Sequence, residues 1–272
     1  MAFQGRSRYD DGIGALRDMI QNHLIQMMTI STMEPPALWD AEMIRDHKVE
    51  VLKAVRPLDP ESDSVRGQYT AGLIDGGPVP GFRAEPGVDP TSRTDTFAAV
   101  RAHLDTWRWE GVPVLMRSGK RLGSKAHEVA FRFKEPPTRL FRHTPLEHAD
   151  PNWLVFRMSP TERTDLVVRT KQPGLELEAR ESVLSASYTT DDDHENEASA
   201  YEGLLLDVLE GDHTPFLRFD EVEWAWRIID PVLKAWQSSG TPEDYVSGSD
   251  GPTGQHRFLG PGHAWRPLAP RS

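Results

Sequence analysis

Between Thr94 and about Tyr188 the chain repeats one pattern, a short run rich in Val, Phe, Trp or Thr closed off by turn residues. Val112 to Met116, His127 to Phe133, Trp153 to Met158 and Leu166 to Thr170 are the clearest instances. Short connections between several of them favour antiparallel pairing, because a parallel crossover takes about a dozen residues or more. In His127 to Phe133, Val129, Phe131 and Phe133 alternate with Glu128, Ala130 and Arg132, so one face is buried and the other meets solvent. Such a sheet has to be backed by something apolar. The expectation is an α+β fold built on a large, predominantly antiparallel sheet with helices packed on one face.

The helices are legible by their period. Ile13, Leu16, Ile20, Leu24, Met27 and Met28 recur at spacings of three and four until Pro35 and Pro36 stop the run. Asp40 reads as the N-cap of a second helix, with Met43, Ile44, Val51, Leu52 and Val55 as its stripe and Pro57 beyond its end. Two more are expected at about Glu197 to Glu210 and Asp220 to Ser238, the latter capped by Asp220. Residues 57 to 93 form an ordered excursion around a strand-like run from Val65 to Ala71. From about Gly240 the density of Gly and Pro indicates an extended tail lying over the fold. Residues 1–272 are read as a single domain carrying that tail.

The net charge of −11 argues against nucleic acid or an anionic membrane as a main partner, since both call for a basic face. With no cysteine in the chain, disulfides, thiolate metal sites and cysteine nucleophiles are excluded, which fits a reducing cytoplasm. No apolar run approaches the roughly 20 residues of a membrane-spanning helix. The tract Asp191 to Glu197 is acidic but lacks a calcium-loop register, so it is read as a solvated loop and helix start, and no metal site is expected.

Chemistry concentrates in Arg17 to His23. His23 lies three residues after Ile20 and four before Met27, which places it on or beside the buried face of the first helix. Asp18 stands near the helix start. At 3.6 residues per turn the two are roughly 140° apart and could converge only on a ligand lying across the helix. A hydrogen-bonded core histidine and a solvated carboxylate account for the same residues without a site. Lys120 and Lys125 flank a glycine-containing corner between two strand-like runs, where two amines could hold a phosphorylated sugar or form an exposed basic turn. Walker, dinucleotide-fingerprint, zinc-protease and nucleophile-elbow motifs are all missing.

Gly14-Ala15-Leu16-Arg17-Asp18-Met19-Ile20-Gln21-Asn22-His23-Leu24, Val65-Arg66-Gly67-Gln68-Tyr69, Pro80-Gly81-Phe82-Arg83, Trp107-Arg108-Trp109, Arg117-Ser118-Gly119-Lys120-Arg121-Leu122 and Ala225-Trp226-Arg227-Ile228-Ile229-Asp230-Pro231 follow one another in an order that resembles the glucose-6-phosphate dehydrogenase family, over its C-terminal part. The resemblance implies His23 as catalytic base and Asp18, Lys120 and Lys125 as substrate-binding residues. It also implies glucose 6-phosphate as substrate, NADP as coenzyme, and a homodimer formed through the sheet or association with a separate coenzyme-binding chain. The family's N-terminal Rossmann domain, with its glycine-rich loop, is not found in this sequence, so no coenzyme-binding residue is assigned and turnover by this chain alone is not expected. A non-catalytic module that dimerises with itself or with full-length enzyme is the alternative. Asp250 departs from the family, where a tryptophan is common.

Overall fold

The structure, a computed structural model, describes residues 11–135, 141–144, 146–147, 150–159, 161–188, 200–238, 240–260 and 264–266. The chain forms two compact units, one of Met1–Ser124, Ala200–Trp265 and Arg271–Ser272, the other of Lys125–Ser199 and Arg266–Pro270.

The first unit is built on a four-stranded sheet. Its strands β1 (Ser64–Thr70), β4 (Phe97–His103), β5 (Pro113–Gly119) and β10 (Glu243–Val246) lie in the order β10-β1-β4-β5. β1 pairs antiparallel with β4, and β4 with β5, while β10 runs parallel to β1. A two-stranded ribbon, β2 (Gly72–Ile74) and β3 (Gly77–Val79), stands beside β1 in the chain. β4 is the strand the unit is packed around, because both of its faces are covered. Ala98, Val100 and Ala102 point into one apolar cluster with helical residues, and Phe97 and Ala99 point into a second with Val65, Tyr69, Tyr245 and Phe258.

The helical layer begins with a π-helical segment, Leu16–Leu24, that runs directly into α1 (Ile25–Thr32). α2 (Ala41–Ala54) follows, and α3 (Ala200–Glu210) and α4 (Phe219–Ser238) come late in the chain. Asp40 caps α2 as expected, accepting the Met43 N–H at 3.0 Å. The cap of α4 falls two residues earlier than Asp220, at Arg218: the Glu221 carboxylate reaches back to the Arg218 N–H at 2.9 Å, the carboxylate half of a capping box. Leu16, Ile20, Ile25, Leu52, Ile229 and Val232 close the core over β4. The extended tail expected from Gly240 therefore includes a sheet strand, β10, whose tyrosine is buried.

The second unit is a four-stranded antiparallel sheet in sequence order: β6 (His127–Arg132), β7 (Trp153–Ser159), β8 (Arg163–Lys171) and β9 (Ala179–Ser187). Val155 and Val167 are its buried aliphatics. A charged group runs across the strands: Arg157 bonds Asp165 at 2.7 Å and Glu128 at 2.9 Å, and Glu128 also accepts from Arg266 at 2.9 Å. The α+β architecture dominated by antiparallel pairing is as the sequence indicates, with the strands divided among two four-stranded sheets and a ribbon in the described residues. The acidic tract Asp191 to Glu197 lies outside the described residues. Among those residues no helix is long and apolar enough to cross a membrane, and no cluster of His, Asp and Glu could hold a metal ion.

Candidate functional site

Gly14 interrupts the helical run ahead of the site. Its φ of +79° is a left-handed conformation, and a Cβ there would collide with the Asp95 carboxylate, so glycine is required on both counts. Asp95, two residues before β4, takes hold of the chain at this point. Its carbonyl accepts the Ala15 N–H at 2.8 Å and its Oδ2 accepts the Leu16 N–H at 2.7 Å. The segment that leaves this anchor winds as a π-helix, with the Ile25 N–H bonding the Ile20 carbonyl five residues back.

That winding changes the geometry read from sequence. Under α-helical spacing Leu24 would follow Ile20 into the core, but in the structure Ile25 is the fully buried residue and Leu24 is only half-buried. The wider turn carries His23 outward: it is exposed, with its Nε2 3.4 Å from the Asn22 amide nitrogen, and does not sit against the core. A π-helix has about 4.4 residues per turn, so Asp18 and His23 lie roughly 50° apart around the segment and not 140°.

Asp18 and Lys120 line one cleft, together with Ile13, Gly14, Ala15, Asp95 and Thr96. Lys120 follows β5, and its backbone is fixed from two directions. Its N–H donates to the Thr96 carbonyl at 2.9 Å, and its own carbonyl accepts the Tyr245 hydroxyl at 2.6 Å. The next residue, Arg121, has a left-handed φ of 57°; it bonds Glu85 at 2.7 Å, and its carbonyl takes the Gly248 N–H at 2.7 Å. Burial pushes the Tyr69 hydroxyl, beside Glu85, up to about 12 and raises that of Tyr245 further, so both remain neutral hydrogen-bonding groups. Lys125 is exposed and belongs to the second unit, two residues before β6.

Asp95 is the residue that sequence reasoning missed. Burial raises its carboxyl from the ordinary range to about 6, against the opposing effect of the Leu16 N–H and of Arg66 and Arg17. It nonetheless keeps some exposed surface at the cleft. The signal in the sequence was a lone glycine inside an amphipathic run, which marks a close approach by another part of the chain.

The sequence pattern of the family described as "Glucose-6-phosphate dehydrogenase, C-terminal domain" matches residues 1–266. Glucose-6-phosphate 1-dehydrogenase of Dickeya dadantii (strain 3937) is 41% identical over 258 residues, covering 93% of this chain and 52% of the relative. The protein of the same name from Mycolicibacterium smegmatis (strain ATCC 700084 / mc(2)155) is 43% identical over 251 residues, covering 91% of this chain and 50% of the relative. Among solved structures, the glucose-6-phosphate 1-dehydrogenase of Mycobacterium avium superposes with a TM-score of 0.82 at 33% identity, over 100% of this chain and 55% of that one. A glucose-6-phosphate dehydrogenase in complex with its substrate glucose-6-phosphate superposes with a TM-score of 0.83 at 35% identity, over 98% of this chain and 54% of that one. The chain thus spans about half the length of the relatives it matches.

Proposed function

This chain belongs to the glucose-6-phosphate dehydrogenase family, over its C-terminal domain, and we propose that it is the substrate-binding and proton-abstracting part of such an enzyme. The observation that carries the reading is that Asp18 and Lys120 line one cleft, with His23 five residues beyond Asp18 on the same π-helical segment. Asp18 accepts hydrogen bonds from sugar hydroxyls, and Lys120 and Lys125 supply charge-assisted bonds to hydroxyls and phosphate. His23 removes the proton of the anomeric hydroxyl as that carbon is oxidised, and the product is a phosphogluconolactone.

NADP is the coenzyme this reading implies. The described residues do not fit it: the parallel pair, β1 and β10, is not joined through a glycine-rich turn leading into a helix, which is what a pyrophosphate requires. Coenzyme binding is therefore assigned to no residue here, and only the proton half of the reaction is read from this chain. The reading treats residues 1–272 as one family domain, supported by the extent of the family match, and places the protein in the cytoplasm as a homodimer or in association with a coenzyme-binding chain.

The test has two arms. Glucose 6-phosphate is expected to bind in about the millimolar range by NMR titration, with Lys120→Ala weakening it and His23→Asn scarcely changing it, because a base acts mainly in the transition state. NADP reduction dependent on glucose 6-phosphate should appear only when a coenzyme-binding chain is added. Absence of binding, or robust turnover by the 272-residue chain alone, would overturn the assignment.

A further inference from the structure

We propose that Asp95 is a further ligand-binding carboxylate of this cleft, accepting a sugar hydroxyl beside Asp18 and opposite the amine of Lys120. The inference rests on the sugar-phosphate reading above and adds a residue to it. Asp95 lines the cleft and is not wholly buried; the Leu16 N–H donates to its Oδ2 and its own backbone N–H also bonds the carboxylate, which leaves part of its acceptor capacity for a ligand. A carboxylate accepts on both oxygens. Oδ1 lies close against Gly14, so any side chain at position 14 would displace the carboxylate from the cleft it lines.

The structural duty of Asp95 needs no charge. An amide oxygen would accept the Leu16 N–H equally well, and burial works against the ionised form. A charge kept at such a position suits a group that must bind something, and a sugar ring offers several hydroxyl donors. The cleft is lined by two carboxylate residues, Asp18 and Asp95, and by Lys120. The charged groups facing Asp95 are Arg17 on the π-helical segment, Arg66 on β1, and Asp18 and Lys120 across the cleft.

The experiment compares wild type, Asp95→Asn and Lys120→Ala by NMR titration with glucose 6-phosphate between pH 5 and 8, with thermal melting recorded for each. Asp95→Asn should keep a cooperative melting transition at a temperature no lower than that of wild type and bind about tenfold more weakly at pH 7.5, one charged hydrogen bond's worth. Below pH 6 the ratio of wild-type to Asp95→Asn affinity should shrink toward one, since wild-type Asp95 is then protonated; the phosphate's own titration is common to both proteins and cancels. In wild type, the Asp95 carboxyl carbon resonance should move with glucose 6-phosphate and not with inorganic phosphate, a measurement that needs no variant to fold. Equal affinities at pH 7.5, a ratio independent of pH, or an unmoved Asp95 resonance would each overturn the proposal. If Lys120→Ala weakens binding and Asp95→Asn does not, Asp95 alone is dismissed; if wild type binds nothing, the sugar-phosphate reading falls with it.

Discussion

β4 and β8 are the middles of their respective sheets, and they are held by different forces. β4 reads Phe-Ala-Ala-Val-Arg-Ala-His and is covered by apolar neighbours on both faces, with Phe97, Ala98, Ala99, Val100 and Ala102 all without exposed surface. β8 carries Asp165 at a buried position, where three arginine and serine side chains meet it: Arg157 at 2.7 Å, Arg163 at 3.0 Å and Ser185 at 2.7 Å. Burial alone would raise the Asp165 carboxyl, but these hydrogen bonds together hold it below its ordinary value. An apolar core tolerates the loss of a few contacts in proportion to the area lost. A buried ionic group does not, because each member exists to cancel the desolvation of another.

The largest expected effect follows from that asymmetry. Arg157→Met leaves Asp165 and Glu128 without their shared partner at side-chain exposures of 3% and 9%, and should destabilise the second unit by about 3–5 kcal/mol. Adding Asp165→Asn should restore much of the loss in urea denaturation, and failure to do so would mean that the arginine acts through packing. In the first unit, Ile229→Ala removes a fully buried side chain from the cluster over β4, at a cost of about 3 kcal/mol. No second substitution of charge should rescue it. If one did, β4 and β8 would not differ in kind.

The elements that sequence could show were those with a simple period. His127 to Arg132 of the alternating run is a strand, although its residues are exposed or half-buried and Phe133 is 48% exposed, so the buried face that the alternation suggests is not formed; α2 carries its apolar stripe where expected. β4 gave no such alternation, since a strand buried on both faces looks like an undivided apolar run. β10 was hidden in a Gly- and Pro-rich tail, because the tyrosine that fixes the Lys120 carbonyl is a single residue with no pattern around it. At the site, the identities of Asp18 and Lys120 were legible but the π-winding was not: spacings of three and four fit an α-helix, and only the burial of Ile25 in place of Leu24 reveals the wider turn. Asp95 lay in a polar Thr-Asp-Thr stretch that resembles any loop.

The third expectation concerns that carboxylate and brings the ionic logic to the residue beside β4. The folded-state value of about 6 is above the ordinary value near 4, so the protonated form favours folding. Its stabilising contribution is complete below about pH 4 and is lost as pH rises through about 6. Relative to Asp95→Asn, wild type should therefore lose roughly 2–3 kcal/mol between pH 4 and pH 7.5. The other carboxylates titrate alike in both proteins and drop out of the difference. A difference independent of pH would show that Asp95 is ionised without cost and belongs with the well-partnered Asp165.

The smallest expected effect on the fold tests how the second unit completes itself. β9 is the edge strand of its sheet, bonded only to β8, and it is exposed along almost its whole length. Val183 and Leu184 are 51% and 60% exposed and, being adjacent in a strand, point to opposite faces. A sheet edge that carries exposed apolar side chains is a surface for another strand or sheet, and lysine is the residue that most directly blunts it. Leu184→Lys should change the unfolding free energy by no more than about 0.5 kcal/mol, because little of the leucine is buried in the single chain. It should nevertheless lower the mass measured by light scattering at micromolar concentration from dimer toward monomer, whereas a buried position such as Val167 could not be changed without unfolding the sheet. A wild-type chain that is already monomeric would remove self-association through this edge. A variant that stays dimeric while keeping its fold would move the contact to some other surface of the sheet.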